Sequence, residues 1–210
     1  MKVIIFGAAG GIGKFAVKHA LEKGYLVKAF LRNPSKLSMQ HPNLTVVQGE
    51  ITRYDDIRNA VSGCDAVIWC VGIPLKRYER MESLEGHKNL IQAMNEFNIK
   101  RLIDWSTTAV PFAKDKKSFI TVVPGFMVGM TLPTAKKELN AIADLVTSSN
   151  LNWTIVRFLA PKDTPYTGRV KVGFGDTKMN INISREDIGA FMVEQLSSTS
   201  YERSMPIIGS

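Results

Sequence analysis

Apolar positions in this chain follow two alternating rhythms. Short, nearly continuous apolar runs alternate with segments in which apolar residues recur every three to four positions. The first run, Val3-Ile4-Ile5-Phe6, predicts a strand over 2–6. Ile12, Phe15, Ala16, His19 and Ala20 then fall on one helical face and predict a helix over 12–23, with Gly24 as its C′ stop. The same reasoning gives strands over 26–31 and 44–48, a turn at Asn33-Pro34-Ser35, a short helix over 54–61 and a strand over 65–71. Leu84, Leu90, Ile91, Met94 and Phe97 share a face in a longer helix over 83–97, and a strand over 101–106 follows.

Beyond residue 107 the rhythm loosens. The apolar stretch 108–133, broken by Pro124, Gly125 and Gly129, predicts an irregular loop region. A helix over 134–148 leads into a strand over 153–157. Residues 168–173 and the alternating 179–183 predict a small β-hairpin or ribbon. Ser184-Arg185-Glu186-Asp187 has capping-box spacing for a helix running to about 197. Strands that are apolar throughout and alternate with helices are those of a parallel sheet covered on both faces, joined by right-handed crossovers.

The turn after the first strand identifies the kind of parallel sheet. It reads Gly7-Ala8-Ala9-Gly10-Gly11-Ile12-Gly13, between a strand and a helix. In that setting Gly7 allows the tight turn, Gly10 lets the backbone approach a pyrophosphate, and Gly13 lets the helix pack closely. The free N–H groups at the helix start face the anion. The expected fold is therefore α/β, a Rossmann-type doubly wound parallel sheet, with residues 1–210 as a single domain. A small C-terminal substrate-side extension is expected, with substrate-side elements mainly in 107–133 and 158–183.

Ligands of such sheets bind beyond the C-terminal strand ends. The cofactor residues expected there are Gly7, Ala9, Gly10, Gly11, Ile12 and Gly13, then Arg32 and Lys36 after the second strand. An acidic residue at that second position would suit the ribose hydroxyls of NAD. Arginine suits the 2′-phosphate of NADP, so NADP(H) is expected in preference to NAD(H). Glu50 and Ile51 follow the third strand, where they face an adenine edge. Cys70, Val71 and Gly72 follow the fourth, Ser106 and Thr107 the fifth, and Phe158, Leu159 and Ala160 the sixth.

Composition narrows the class only a little. Of 210 residues, 27 are basic and 19 acidic, giving a net charge of +8. The excess is spread out, and its densest cluster is Lys114-Asp115-Lys116-Lys117. No basic run is interleaved with aromatic residues, so a nucleic-acid partner is not expected. The charge suits plain solubility and also attracts phosphorylated ligands. Cys64 and Cys70 read as buried thiols rather than a disulfide framework, and His19, His41 and His87 lack metal-ligand spacing. With no signal-peptide pattern at the start and no apolar stretch long enough to span a bilayer, the reading is a cytoplasmic protein without a membrane partner, monomeric or homodimeric.

Taken together, these segments resemble the atypical branch of the short-chain dehydrogenase/reductase superfamily, the NmrA-like NAD(P)H-binding proteins. Within them the chain is most similar to the biliverdin-IXβ reductase/flavin reductase type. The likeness rests on the glycine ladder, Arg32-Asn33-Pro34-Ser35-Lys36, Gly49-Glu50-Ile51 and the run 85–94. It continues through 149–157 and 183–191 and covers nearly the whole chain.

The superfamily's dehydrogenases use a Ser or Thr, a Tyr, and a Lys four residues after it. Ser106 matches the serine and is the candidate catalytic residue. Tyrosines stand at 25, 54, 78, 166 and 201, and none is followed by lysine four positions on. Alcohol–ketone chemistry needs a general acid at the carbonyl oxygen. A flavin or linear tetrapyrrole instead takes hydride into a conjugated system and its proton from solvent. The resemblance thus implies NADPH-dependent reduction of free flavin, as substrate rather than prosthetic group, or of a similar planar acceptor. Thr108, Phe112 and Phe158 are the candidate acceptor contacts, Phe158 either stacking on the ligand or filling core. The stretch 119–132 is read as a wall or lid, core packing or a dimer contact. The alternative the resemblance implies is a non-catalytic NADP(H)-sensing regulator of NmrA type.

Overall fold

Strand β1 (Lys2–Phe6) shows why the apolar runs are continuous: both of its faces are covered. Val3 and Ile5 pack toward one helical layer, Ile4 and Phe6 toward the other. The same holds across a central sheet whose strands are mostly parallel. The computed structural model describes residues 1–74, 76 and 78–210. In chain order it contains β1, α1 (Gly13–Glu22), β2 (Leu26–Leu31), a single 3-10 turn (Pro34–Lys36), β3 (Leu44–Gln48), α2 (Tyr54–Val61), β4 (Ala66–Trp69), α3 (Glu82–Glu96) and β5 (Arg101–Ser106). Then follow α4 (Phe119–Thr131), α5 (Pro133–Thr147), β6 (Asn152–Arg157), β7 (Ala160–Lys162), β8 (Lys171–Gly173), β9 (Asn182–Ser184), α6 (Arg185–Glu194) and β10 (Ile207–Gly209).

The main sheet runs β3-β2-β1-β4-β5-β6-β10-β8. Its pairs are parallel except β8 against β10. The strand order reverses between β1 and β4, which places the crevice of a doubly wound sheet beside the glycine turn. Helices α1 and α6 cover the Val3/Ile5 face, and α2, α3 and α5 cover the Ile4/Phe6 face. This is the Rossmann-type α/β domain expected from the alternation. Among the described residues, no helix is long and apolar enough to cross a membrane.

Three local expectations are corrected. The expected loop 108–133 contains α4, whose N-terminus is closed by reciprocal bonds between Ser118 and Thr121. Pro124 and the two glycines disguise it, and its 13 residues include no charged side chain, so no polar face sets off an apolar one for the sequence to show. The expected hairpin between 168–173 and 179–183 does not form. β8 pairs with β10, and β9 pairs in parallel with β7 as a separate two-stranded sheet. The C-terminal strand, unrecognised in the sequence because only three residues long, captures β8. The capping box is also incomplete. Ser184 accepts from the Glu186 N–H, but the Asp187 carboxylate accepts from the N–H groups of Thr167 and Gly168 and from the Thr167 hydroxyl. Asp187 thus ties the 167–168 loop to α6 instead of closing the helix end.

Candidate functional site

At the end of β1 the chain turns through Gly7 at φ +72°, in the left-handed region. A Cβ there would stand 2.7 Å from the Cys70 carbonyl, so the turn lies directly against the end of β4. The Gly10 N–H donates to the Gly7 carbonyl at 2.9 Å and closes the turn. Gly13 is tighter still: its Cβ would lie 2.1 Å from the Gly7 oxygen. The close packing expected of Gly13 is therefore packing against the glycine turn itself. Ile12, at the N-cap of α1, supplies no side-chain cap, and the first turn holds no acidic residue. The N–H groups of Lys14 and Phe15 bond back to the Gly10 and Ile12 carbonyls at 3.1 and 3.0 Å, so among the described residues those of Gly11, Ile12 and Gly13 are the ones left for an anion.

The turn forms the floor of a cleft of about 770 Å³. Of the residues expected to hold a cofactor, Gly7, Ala9, Gly10, Arg32, Lys36, Glu50, Ile51, Cys70, Val71 and Gly72 line it. Arg32 and Lys36 flank the 3-10 turn, whose shape is set by Asn33: its side-chain oxygen accepts from the Ser35 N–H at 3.1 Å and the Ser35 hydroxyl at 2.8 Å. Both cations are exposed, and neither forms an ion pair among the described residues. Glu50 is exposed, and its N–H donates to Asp56. Cys70 is partly exposed, not the fully buried thiol expected, and desolvation pushes its thiol well above the ordinary value.

The opposite wall was not read from the sequence. It consists of Pro74, Tyr78, Glu79, Arg80, Glu82 and Ser83, from the β4–α3 connection and the start of α3. The Tyr78 hydroxyl donates to Glu138 at 2.6 Å, and the other Glu138 oxygen accepts from the Leu84 N–H at 2.9 Å. Glu138, fully buried on α5, thereby fixes this wall. Burial, reinforced by the hydrogen bond to Glu138, raises the Tyr78 phenol well above its ordinary value. A connection without periodicity gives no sequence signal for such a wall.

One turn below Ser83 lies a buried pair that sequence reading also missed. His87 Nε2 is 3.1 Å from Asp104 Oδ2, and Nδ1 is 2.7 Å from the Ser83 carbonyl oxygen. A carbonyl only accepts, so Nδ1 carries a proton. The Trp69 ring packs on the imidazole at 4.2 Å between centroids.

The other expected residues lie outside the cleft lining: Gly11, Ile12 and Gly13 at the start of α1, and the rest at and beyond the ends of β5 and β6. Trp105 joins the end of β5 to the lining, its Nε1 donating to the Val71 carbonyl at 2.9 Å. Ser106 and Thr108 are buried with no partner for their hydroxyls among the described residues. Thr107 accepts from the Ala109 N–H. Phe158, 4% exposed, stacks on Trp105 at 5.7 Å; of its two readings, it fills core. Leu159 and Ala160 are half-buried. Phe112 lines a different cavity, of about 790 Å³, with Lys136 and Trp153. Lys136, on α5, donates to the Gly125 carbonyl at 2.7 Å. Gly11 lies under the Arg185 side chain.

Residues 7–199 match the NAD(P)H-binding family. The chain belongs to that family. Among curated relatives, it is 28% identical over 208 residues to an uncharacterised chloroplastic protein of Arabidopsis thaliana, covering 93% of this chain and 71% of that one. It is 30% identical over 131 residues to cinnamoyl-CoA reductase 1 of Petunia hybrida, covering 58% of this chain and 39% of the reductase. The chain thus spans about two fifths of that reductase's length. Among solved structures, ChuY, an anaerobilin reductase from Escherichia coli O157:H7, superposes with a TM-score of 0.79 at 16% identity, covering 100% of this chain and 97% of the other. That similarity is one of fold.

The cleft fits the dinucleotide that defines this family. The uncapped start of α1 and the Gly7–Gly10 turn meet the needs of a pyrophosphate. The Ser83 hydroxyl is buried on the cleft wall without a partner among the described residues, a donor awaiting an acceptor.

Proposed function

We propose that this protein is an NADPH-dependent reductase of free flavin or a similar planar conjugated acceptor, working without a tyrosine–lysine proton relay. One observation carries the reading: the glycine turn that leads into α1 and two cations without an ion pair among the described residues, Arg32 and Lys36, line one cleft in a chain with no Tyr-x-x-x-Lys. The backbone of Gly10–Gly13 would hold the pyrophosphate, Arg32 and Lys36 the 2′-phosphate, and Glu50 with Ile51 the adenine. Val71, Gly72, Ser106 and Thr107 would border the nicotinamide. NADPH supplies a hydride when bound, and the chain's part is to orient it against a flat acceptor. The anaerobilin reductase that shares the fold and the reductase among the relatives support a redox role.

The test is steady-state oxidation of NADPH with FMN, FAD or riboflavin. Turnover lost in Gly10→Asp and Arg32→Glu supports the proposal. Turnover no higher than in those controls refutes it. Cofactor choice is tested separately. Arg32→Ala should weaken NADPH by about 1.5–3 kcal/mol and leave NADH nearly unchanged, because only NADPH presents a 2′-phosphate for a charge-assisted bond. Equal losses in a binding titration would remove Arg32 from the phosphate site.

A second reading is favoured by Phe158. Packed on Trp105 at 4% exposure, it leaves no aromatic face at the end of β6 for a planar acceptor. A non-catalytic NADP(H) sensor needs no such face. Equal affinity for NADP⁺ and NADPH, with no hydride transfer to any acceptor tried, would select it.

A further inference from the structure

Helix α4 inverts the usual arrangement of a surface helix. Thr121, Gly125 and Gly129, one turn apart, face the protein. A Cβ on Gly125 would meet Ala109 at 3.6 Å, and one on Gly129 would meet the Lys136 side chain at 3.2 Å. The Lys136 ammonium bonds the Gly125 carbonyl from the same side. The large apolar side chains point the other way. Phe119 is 74% exposed, Phe126 and Met130 70%, and Val122 and Met127 58%. Their spacing makes one continuous outward stripe. A surface helix normally turns such a stripe inward. A contiguous apolar patch of this kind marks an interaction site.

Charge indicates what the stripe meets. Residues 118–135 contain no charged side chain. Exposed lysines bracket them: Lys114, Lys116 and Lys117 before and Lys137 after, while Lys136 is turned inward on the Gly125 carbonyl. Asp115 is neutralised by its bidentate pair with buried Arg157. Glu138 is buried, holding Tyr78 and the Leu84 N–H. Asp176, on the loop beside the start of α4, is the facing carboxylate, and Lys178 follows it. The border of the stripe is therefore strongly positive. A second copy of this chain would bring an identical lysine border against it, which repels. An anionic lipid surface offers acyl chains to the stripe and negative headgroups to the lysines.

We infer that α4 is an interfacial helix that docks the protein on anionic membranes. Phe119, Val122, Phe126, Met127 and Met130 enter the headgroup–acyl boundary, and the bracketing lysines lie on the headgroups. The helix has 13 residues and lies in the membrane plane without crossing it. It is held ready by the Ser118–Thr121 cap and by Lys136, so docking requires no folding. This runs against the expectation of no membrane partner, which rested on the absence of a spanning segment and not on the surface of α4.

The test is co-sedimentation of the full chain, without nucleotide, with phosphatidylcholine vesicles and with vesicles that also contain about 30% phosphatidylglycerol. The wild type should bind the anionic vesicles, bind neutral ones far less, and be released by salt. The double variant Phe126→Ser/Met130→Ser should lose about tenfold or more in partition, since two large apolar side chains leave the interface. Lys116→Glu/Lys117→Glu should lose about tenfold on anionic vesicles alone. An unchanged thermal unfolding midpoint verifies that each variant is folded. No binding by the wild type overturns the inference. So does a solution dimer that Phe126→Ser/Met130→Ser splits without any vesicle binding, which would assign the stripe to a second copy.

Discussion

Gly13→Ala is expected to weaken NADPH binding by about 100-fold, or about 2.7 kcal/mol. The added Cβ would lie 2.1 Å from the Gly7 oxygen, 2.8 Å from the Gly7 carbonyl carbon and 3.1 Å from the Ala8 Cα. All three are backbone atoms, so no side chain can swing away. Nor can the turn retreat, because Gly7 is already pressed against the Cys70 carbonyl. The start of α1 must move, and with it the N–H groups that face the anion. A fluorescence titration with NADPH reads the loss. Gly72→Ala is the companion: among the described residues, its two chain neighbours apart, nothing lies within 4 Å of the added methyl. Stability should be unchanged in that variant, and any loss of NADPH affinity comes from the cofactor itself. Wild-type NADPH affinity in Gly13→Ala would show that the turn does not set the phosphate site.

Arg157→Leu is expected to destabilise the protein by about 3–5 kcal/mol, the range for breaking a buried ion pair by removing one partner. Arg157 is fully buried at the end of β6. It donates to the Met205 carbonyl at 2.9 Å, the Val110 carbonyl at 3.0 Å, and both Asp115 oxygens at 2.5 and 2.7 Å. Asp115 in turn accepts from the Phe112 N–H at 2.9 Å. One guanidinium thus anchors the 110–115 loop and the approach to β10. Urea unfolding measures the effect. Arg157→Leu/Asp115→Leu should recover part of the loss, because the carboxylate left without its partner is removed as well. A loss below about 1 kcal/mol in the single variant would mean that the pair behaves as a solvated one.

These two positions differ in how they could be read. Gly13 was legible because its demand is local: strand, turn and helix are contiguous, and each glycine answers a constraint within a few residues. The same holds for Arg32 and Lys36, fixed beside a turn by Asn33 and Pro34, and for the near half of the cleft, whose residues follow β1 to β4 directly. Arg157 ends a predicted strand, and nothing in its neighbours along the chain marks it as an anchor. Its partners lie 42 to 48 positions away, so its role depends on folds of the chain that no local pattern encodes. The Tyr78–Glu138 wall, 60 positions apart, and the His87–Asp104 pair were hidden for the same reason.

The sequence by itself determined the alternation of strands and helices, the parallel sheet and the glycine turn at its switch point, because these follow from apolar periodicity and backbone sterics over short spans. Only the tertiary structure decided the rest. It chose β10 over the neighbouring strand as the partner of β8, since sheet pairing depends on which edge is near, not on which segment is next. It buried Phe158 on Trp105, since a side chain's burial is set by its neighbours in space. It also turned the broken apolar stretch 119–131 into a helix with its large side chains outward, since small residues at 121, 125 and 129 are what the body of the protein admits on that side.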